Sequence, residues 1–321
     1  MTPPLGRLIG RILQVVGLGA ALWYLADTAL EHWVGFGEAG VRLSFLPLVV
    51  ASVLTVATYG FLVWVWSRSL KWWDQHLGYG AALRIWFVTN LARFIPGTVW
   101  QFASLTTEAL AHSVSAVAAT AAMLFQQLVL LGTGIALTLA LAPGLLGDRA
   151  RGWPPSVMLA AVSLAIVGAI ILLPVVTPVL ERWTSRLLRR EVAWPTPGRA
   201  ELALYIGGLV LPWLVYGVAF WLFGLGTLGS GAPPLGLAVG AFTASYVAGI
   251  IFVVAPGGLG IREAALVAAL APYTGNAAAL FLAIGSRLWL VALEIITALV
   301  VLAVYRQRPA ITPTRNDSTP H

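Results

Sequence analysis

Long apolar stretches dominate the chain, and polar residues fall between them rather than at alternate positions. Segments at 8–25, 45–66, 114–142, 156–177, 201–225 and 276–304 are each long enough to cross a hydrocarbon core of about 30 Å as a helix. Two further apolar regions, 81–110 and 235–271, are interrupted near the middle, by "RFIPGTVW" at 93–100 and "VAPGGLGI" at 254–261. Proline has no N–H to donate and glycine weakens a helix, so each region is predicted to split into two half-helices. The shortest halves cannot span alone, which makes each interrupted region a predicted re-entrant hairpin. The pattern therefore predicts an all-α polytopic membrane protein of about six full transmembrane helices plus two re-entrant hairpins.

Composition supports this class. The chain is 59% hydrophobic and 10% charged, with a mean hydropathy of +0.88, where soluble domains carry about 25% charged residues. There is no cysteine, and the four histidines, at 32, 76, 112 and 321, have no ligand spacing. No metal or other cofactor is expected. The net charge of +7 is read as basic loops facing the cytoplasm rather than as a nucleic-acid surface. The apolar run 8–25 is long for a signal sequence and is expected to remain as a first span.

Basic residues then set an orientation. With the N-terminus inside, twelve of the 19 Lys and Arg fall on inner loops or tails, five of them in 181–199, and three fall outside. The remaining four, Arg84, Arg93, Arg262 and Arg287, lie in interrupted or spanning segments. The expectation is a multi-pass protein of the inner (plasma) membrane with both termini cytoplasmic. It has a single transmembrane domain over 1–310, with halves of about 1–145 and 155–305, and a short polar tail at 306–321.

Under this orientation the first hairpin enters from the cytoplasm and the second from outside. Sliding the sequence by 160 puts Pro96-Gly97 on Pro256-Gly257, Leu110-Ala111 on Leu270-Ala271 and Gln127-Leu128 on Arg287-Leu288. Two related halves of opposite orientation form the inverted repeat of secondary transporters. The breaks, at Pro96 and Gly97 and at Pro256, Gly257, Gly258 and Gly260, are expected to meet near mid-membrane. Helix N-termini following them would favour an anion there.

Charges near the breaks agree. Each would cost about 2.5–3.5 kcal/mol at the centre of a lipid-exposed helix, so they should face one another or a cavity. Arg262, Glu263, Arg287 and Glu294 are the main substrate-binding candidates, with Arg93, Gln101, Glu108, Gln126 and Gln127 on the first half. The competing reading is an ion-pair network that only holds helices together. Trp23, Trp33, Trp64, Trp66, Trp72 and Trp73 are expected to be interfacial anchors.

The strings "RFIPGTVWQ" and "APGGLGIREAAL" closely resemble the paired signatures of the lysylphosphatidylglycerol synthase transmembrane-domain family, over roughly 8–305. The resemblance matches Arg93, Pro96, Gly97, Trp100 and Gln101 in the first signature, and Pro256, Gly257, Gly258, Gly260, Arg262 and Glu263 in the second. It implies translocation, between leaflets, of a lipid with an anionic or aminoacylated headgroup. Bifunctional members carry a soluble synthetase domain after the membrane region, where this sequence has a short polar tail. The expectation is therefore a flippase and not an enzyme. Its substrate would be that lipid made elsewhere, or another such as a polyprenyl-linked lipid. The partners implied are a membrane lipid, with a second copy of the chain or a separate lipid-modifying enzyme beside it. A secondary transporter of a small solute or ion fits the same fold. An intramembrane transferase fits less well, because the only cavity acids are Glu263, Glu294 and Glu108.

Overall fold

A computed structural model describes residues 40–91, 99–141, 197–251 and 260–305, together with Gly258 and a few isolated positions. The expected spans 8–25 and 156–177, the loop 143–155, the tail 306–321, and Arg93, Pro96, Gly97, Pro256 and Gly257 lie outside the described residues, apart from a few isolated positions such as Val157 and Thr177. Within them the fold is helical, joined by short turns. The helices are α1 (Phe45–Ser69), α2 (Tyr79–Leu91), α3 (Val99–Ala111), α4 (Ala116–Leu141), α5 (Arg199–Gly208), α6 (Leu211–Leu228), α7 (Leu235–Ile251), α8 (Ile261–Thr274) and α9 (Asn276–Val304). Four helical stretches among the described residues are long and apolar enough to cross a membrane: Phe45–Trp73, Ala116–Leu141, Arg199–Gly231 and Asn276–Val304.

The two interrupted regions are pairs of shorter helices, α2 with α3 and α7 with α8, and the members of each pair pack together. The segment 201–225, expected as one helix, is divided at Leu209 between α5 and α6. Pro212, in the first turn of α6, has no N–H for the Gly208 carbonyl, and the chain restarts its helix there.

Helix ends follow local chemistry. After α1, a 3-10 turn (Leu70–Trp73) closes with Asp74 at φ 54°, and the Gln75 N–H reaches back to the Leu70 carbonyl at 3.1 Å. After α3, Ser113 takes φ 59° and the Val114 N–H reaches the Ala109 carbonyl at 2.9 Å. Both are Schellman ends, and in the second Val114 buries itself against the same cluster as Ala109. The Gln75 Oε1 then accepts the Ser115 N–H at 2.9 Å, tying the end of α1 to the start of α4.

Helices α1 and α6 form a central antiparallel pair. The Arg42 N–H donates to the Thr227 carbonyl (2.8 Å) and the Ser44 N–H to the Gly226 carbonyl (2.7 Å), so the start of α1 lies at the end of α6. Two of the buried clusters are separate along the chain. Val63, Trp66, Ile85, Leu105 and Ala119 belong to one; Phe220, Phe242, Leu270 and Leu282 belong to the other. Val63, Ala82, Ala109, Ala119, Ala122 and Met123 in the first stand 160 residues from Phe223, Phe242, Ala269, Ala279, Leu282 and Ala283 in the second. The last helix of each half packs on the other half: α4 on α7 and α9 on α2.

One tryptophan assignment changes. Trp66 is fully buried, with its indole N–H directed at the Ala119 carbonyl at 3.4 Å, so it is a core residue. Trp64, two positions earlier, faces outward with the Arg68 guanidinium 5.7 Å from its ring centre. Trp33 lies outside the described residues.

Candidate functional site

Helix α8 packs on both α7 and α9, and Gly258 and Gly260 stand just before its start. Gly258 (φ 69°) and Gly260 (φ 82°) occupy the left-handed region, which glycine enters without steric cost. Gly258 also meets α7 closely: a Cβ on it would stand 2.9 Å from the Gly249 Cα. Helix α8 starts from Gly260, placing Arg262 and Glu263 in its first turn.

These neighbours point in different directions. The Arg262 stem runs past Gly249, where a Cβ would come within 2.6 Å of its Cγ. Its guanidinium lies over Tyr246, 4.2 Å from the ring centre, with Phe242 at 5.8 Å. Such a contact contributes about 0.5–2 kcal/mol, most when desolvated, and fixes the cation in place. Phe242, Tyr246 and Gly249 are spaced by four and three residues, so they form one stripe of α7 shaped to take this side chain.

Glu263 faces α9. Its Oε1 lies 3.1 Å from the Arg287 Nη1, and both residues are buried, at 9% and 5% exposure. Both Glu263 oxygens are sealed from solvent and neither accepts a hydrogen bond from a described residue. Glu294, at 3% exposure, stands seven residues beyond Arg287 on the same face of α9, roughly 10 Å along the axis. The four charges singled out in the second half therefore sit on α8 and α9, around the start of α8. A buried carboxylate with no hydrogen bond to support its ion pair is poorly compensated as a structural tie.

The first-half candidates divide. Gln126 is buried and donates to the Leu62 carbonyl at 3.2 Å, while Gln127 is exposed. Successive helical residues differ by about 100° in direction, so only one of the pair can turn inward. Gln101 is half-buried near the start of α3. Glu108 belongs to a different place: its Oε2 lies 3.7 Å from the Arg84 Nε, whose Nη1 donates to the Tyr305 carbonyl at 3.2 Å. Tyr305 follows the end of α9, roughly 27 Å along the axis from Arg287, so Glu108 is remote from the Glu263 cluster.

Sequence reasoning missed Tyr246, Phe242 and Gly249, although their four-and-three spacing was readable. It also gave no role to Arg84. Compared with family models, curated proteins and solved structures, the chain matches none.

Proposed function

We propose that the chain is a lipid translocase built as an inverted repeat, with two re-entrant hairpins, α2–α3 and α7–α8. It moves a lipid with an anionic or aminoacylated headgroup, or a polyprenyl-linked lipid, between leaflets. One observation carries the reading. A sealed Arg287–Glu263 pair, 3.1 Å apart, stands at the start of the helix that follows a break, in a chain whose long helices are apolar enough to span. Non-helical backbone and charge at that depth are tolerated where they line a cavity or a substrate path. The first N–H groups of α8 and the Arg287 cation suit a phosphate, Arg262 being held over the Tyr246 ring, while Glu263 and Glu294 suit an amino headgroup.

The repeat is supported by the antiparallel α1–α6 pair, by the core positions 160 residues apart, and by the reciprocal packing of α4 on α7 and α9 on α2. A lipid rather than a solute is supported by an open groove of about 430 Å³ between α1, α6 and α9, lined by Leu48, Val53, Phe223, Phe281 and Trp289. It suits an acyl tail left in the bilayer while a headgroup moves inside. The resemblance of the two break segments to lipid-translocating proteins points the same way.

The test is movement of fluorescent phosphatidylglycerol across liposomes holding the purified chain, read by dithionite quenching. Removing one member of a buried pair costs about 3–5 kcal/mol, whereas neutralising both costs little. The double variant E263Q/R287Q should thus unfold near the wild-type temperature in detergent yet move no lipid. A folded double variant with undiminished movement would return these charges to the role of glue. If the wild type moves no lipid but carries a small solute, the transporter reading replaces this one.

A further inference from the structure

The Glu263 carboxylate has an odd environment. It is buried, both oxygens are sealed, no described residue donates a hydrogen bond to it, and its ionic partner among the described residues is Arg287 at 3.1 Å. Among the described residues, the elements packed most closely against α8 are α7 and α9. On α7 the one titratable group is Tyr246, which holds the Arg262 guanidinium over its ring. On α9 they are Arg287 and Glu294, and on α8 itself Arg262 precedes Glu263 and Tyr273 stands at the far end. Arg262 is directed at the α7 aromatic stripe, so the cation meeting Glu263 across the helix interface is Arg287.

On the lipid-translocase reading, an anionic headgroup entering this site needs the same Arg287. Two anions cannot share one buried guanidinium without leaving a charge uncompensated, which is costly in a sealed place. The loser must leave, move or be neutralised. A carboxylate on the first turn of a packed helix has little room to move, and a proton neutralises it at once.

We propose that Glu263 is the proton carrier of the translocase: the headgroup phosphate displaces Glu263 from Arg287, and the displaced carboxylate takes up one proton. The only bond formed is the carboxyl O–H, and the proton comes from the water phase that admits the lipid. On the other side the phosphate leaves, Glu263 gives up the proton, and the pair with Arg287 forms again. One phosphodiester anion and one proton then cross together, with no net charge moved. The resting ion pair thus serves as a built-in stand-in for the substrate, holding Arg287 in place until an anion arrives.

The experiment uses the full chain in liposomes that carry a trapped pH-sensitive dye. Labelled phosphatidylglycerol and labelled phosphatidylcholine, which has no net charge, are compared. Movement of phosphatidylglycerol should acidify the lumen, and a potassium–valinomycin potential should leave its rate unchanged. At equilibrium, a one-unit pH difference, acid outside, should enrich phosphatidylglycerol in the inner leaflet about tenfold, as one-to-one coupling requires. Phosphatidylcholine should move no protons. E263Q should lose proton uptake, and its lipid distribution should ignore the pH gradient. Because the wild-type measurement decides alone, a poorly folding E263Q does not weaken the test. Phosphatidylglycerol moved by the wild type without protons, or at a rate set by the potential, overturns the coupling and leaves the translocase reading standing. Failure to move any lipid overturns both.

Discussion

At the residue scale, two glycines decide where Arg262 goes. Gly258 has φ 69° and presents its Cα to the Gly249 backbone, so an added Cβ would meet main chain at 2.9 Å. At Gly249 an added Cβ would meet the Arg262 stem instead, at 2.6 Å. Backbone cannot swing aside as a side chain can. Gly258→Ala should therefore cost on the order of 1–3 kcal/mol through left-handed strain and the close approach. Gly249→Ala should cost less, but should push Arg262 off Tyr246 and slow lipid movement. Thermal unfolding in detergent and the dithionite assay check the two effects separately, and equal losses of stability would contradict the account. The sequence showed Gly258 and Gly260 because they follow Pro256 within four residues, whereas Gly249 is hidden among 33 glycines in a membrane-like composition. Likewise a glutamine pair is visible in sequence, but only the packing of α4 on α1 shows that Gln126 turns inward.

At the element scale, the two ion pairs have different consequences. Arg84 joins three elements: it pairs with Glu108 on α3 from its place on α2, and donates to the carbonyl of Tyr305, which follows α9. The Tyr305 ring sits against Gly80, close enough that an added Cβ would clash with it, so the end of α9 is pressed onto the start of α2. This has the geometry of a tie. The side chains of Arg84 and Glu108 are 16% and 17% exposed, so water moderates the pair. Arg84→Ala should lower stability by about 1–3 kcal/mol, by orphaning Glu108 and the Tyr305 carbonyl. Replacing Arg84 and Glu108 together by leucine should cost less than the single change, and lipid movement should persist in the double variant. Loss of movement in a folded double variant would place this pair in the transport path after all. The sequence showed both interrupted regions, because proline and glycine side by side in an apolar run seldom allow the helix to continue. It did not show the division at Leu209, since a lone proline can sit within a long apolar helix as well as break one. The partner of Glu108 could not be read either, because Arg84 lies 24 positions away on another helix.

At the scale of the whole molecule, the break segments share an offset of 160 in the sequence, and six pairs of core positions have the same offset. Which cores form, and that α4 and α9 cross onto the opposite half, depends on side-chain volumes that hydropathy does not record. The arrangement makes a demand on orientation. If the halves are inverted, the turn joining α3 to α4 and the turn joining α8 to α9 lie on opposite faces of the membrane. The first turn is fixed to the end of α1 through Gln75 and Ser115, and Arg68 and Lys71 stand just before that end. By the positive-inside rule this face is expected to be the cytoplasmic one. The second turn, at Gly275, then faces outward, and no Lys or Arg lies within ten residues of it on either side. Ala111 and Asn276 are both exposed, and the chain has no cysteine to confuse a label. Single variants Ala111→Cys and Asn276→Cys, treated in intact cells with a membrane-impermeant thiol reagent, should label at 276 and not at 111. Permeabilising the cells should then expose 111, which shows that its thiol is reactive. Labelling of both sites in intact cells would put the two turns on one face. The halves would then be parallel copies, and the two breaks could not enter from opposite sides to meet at the Glu263–Arg287 pair.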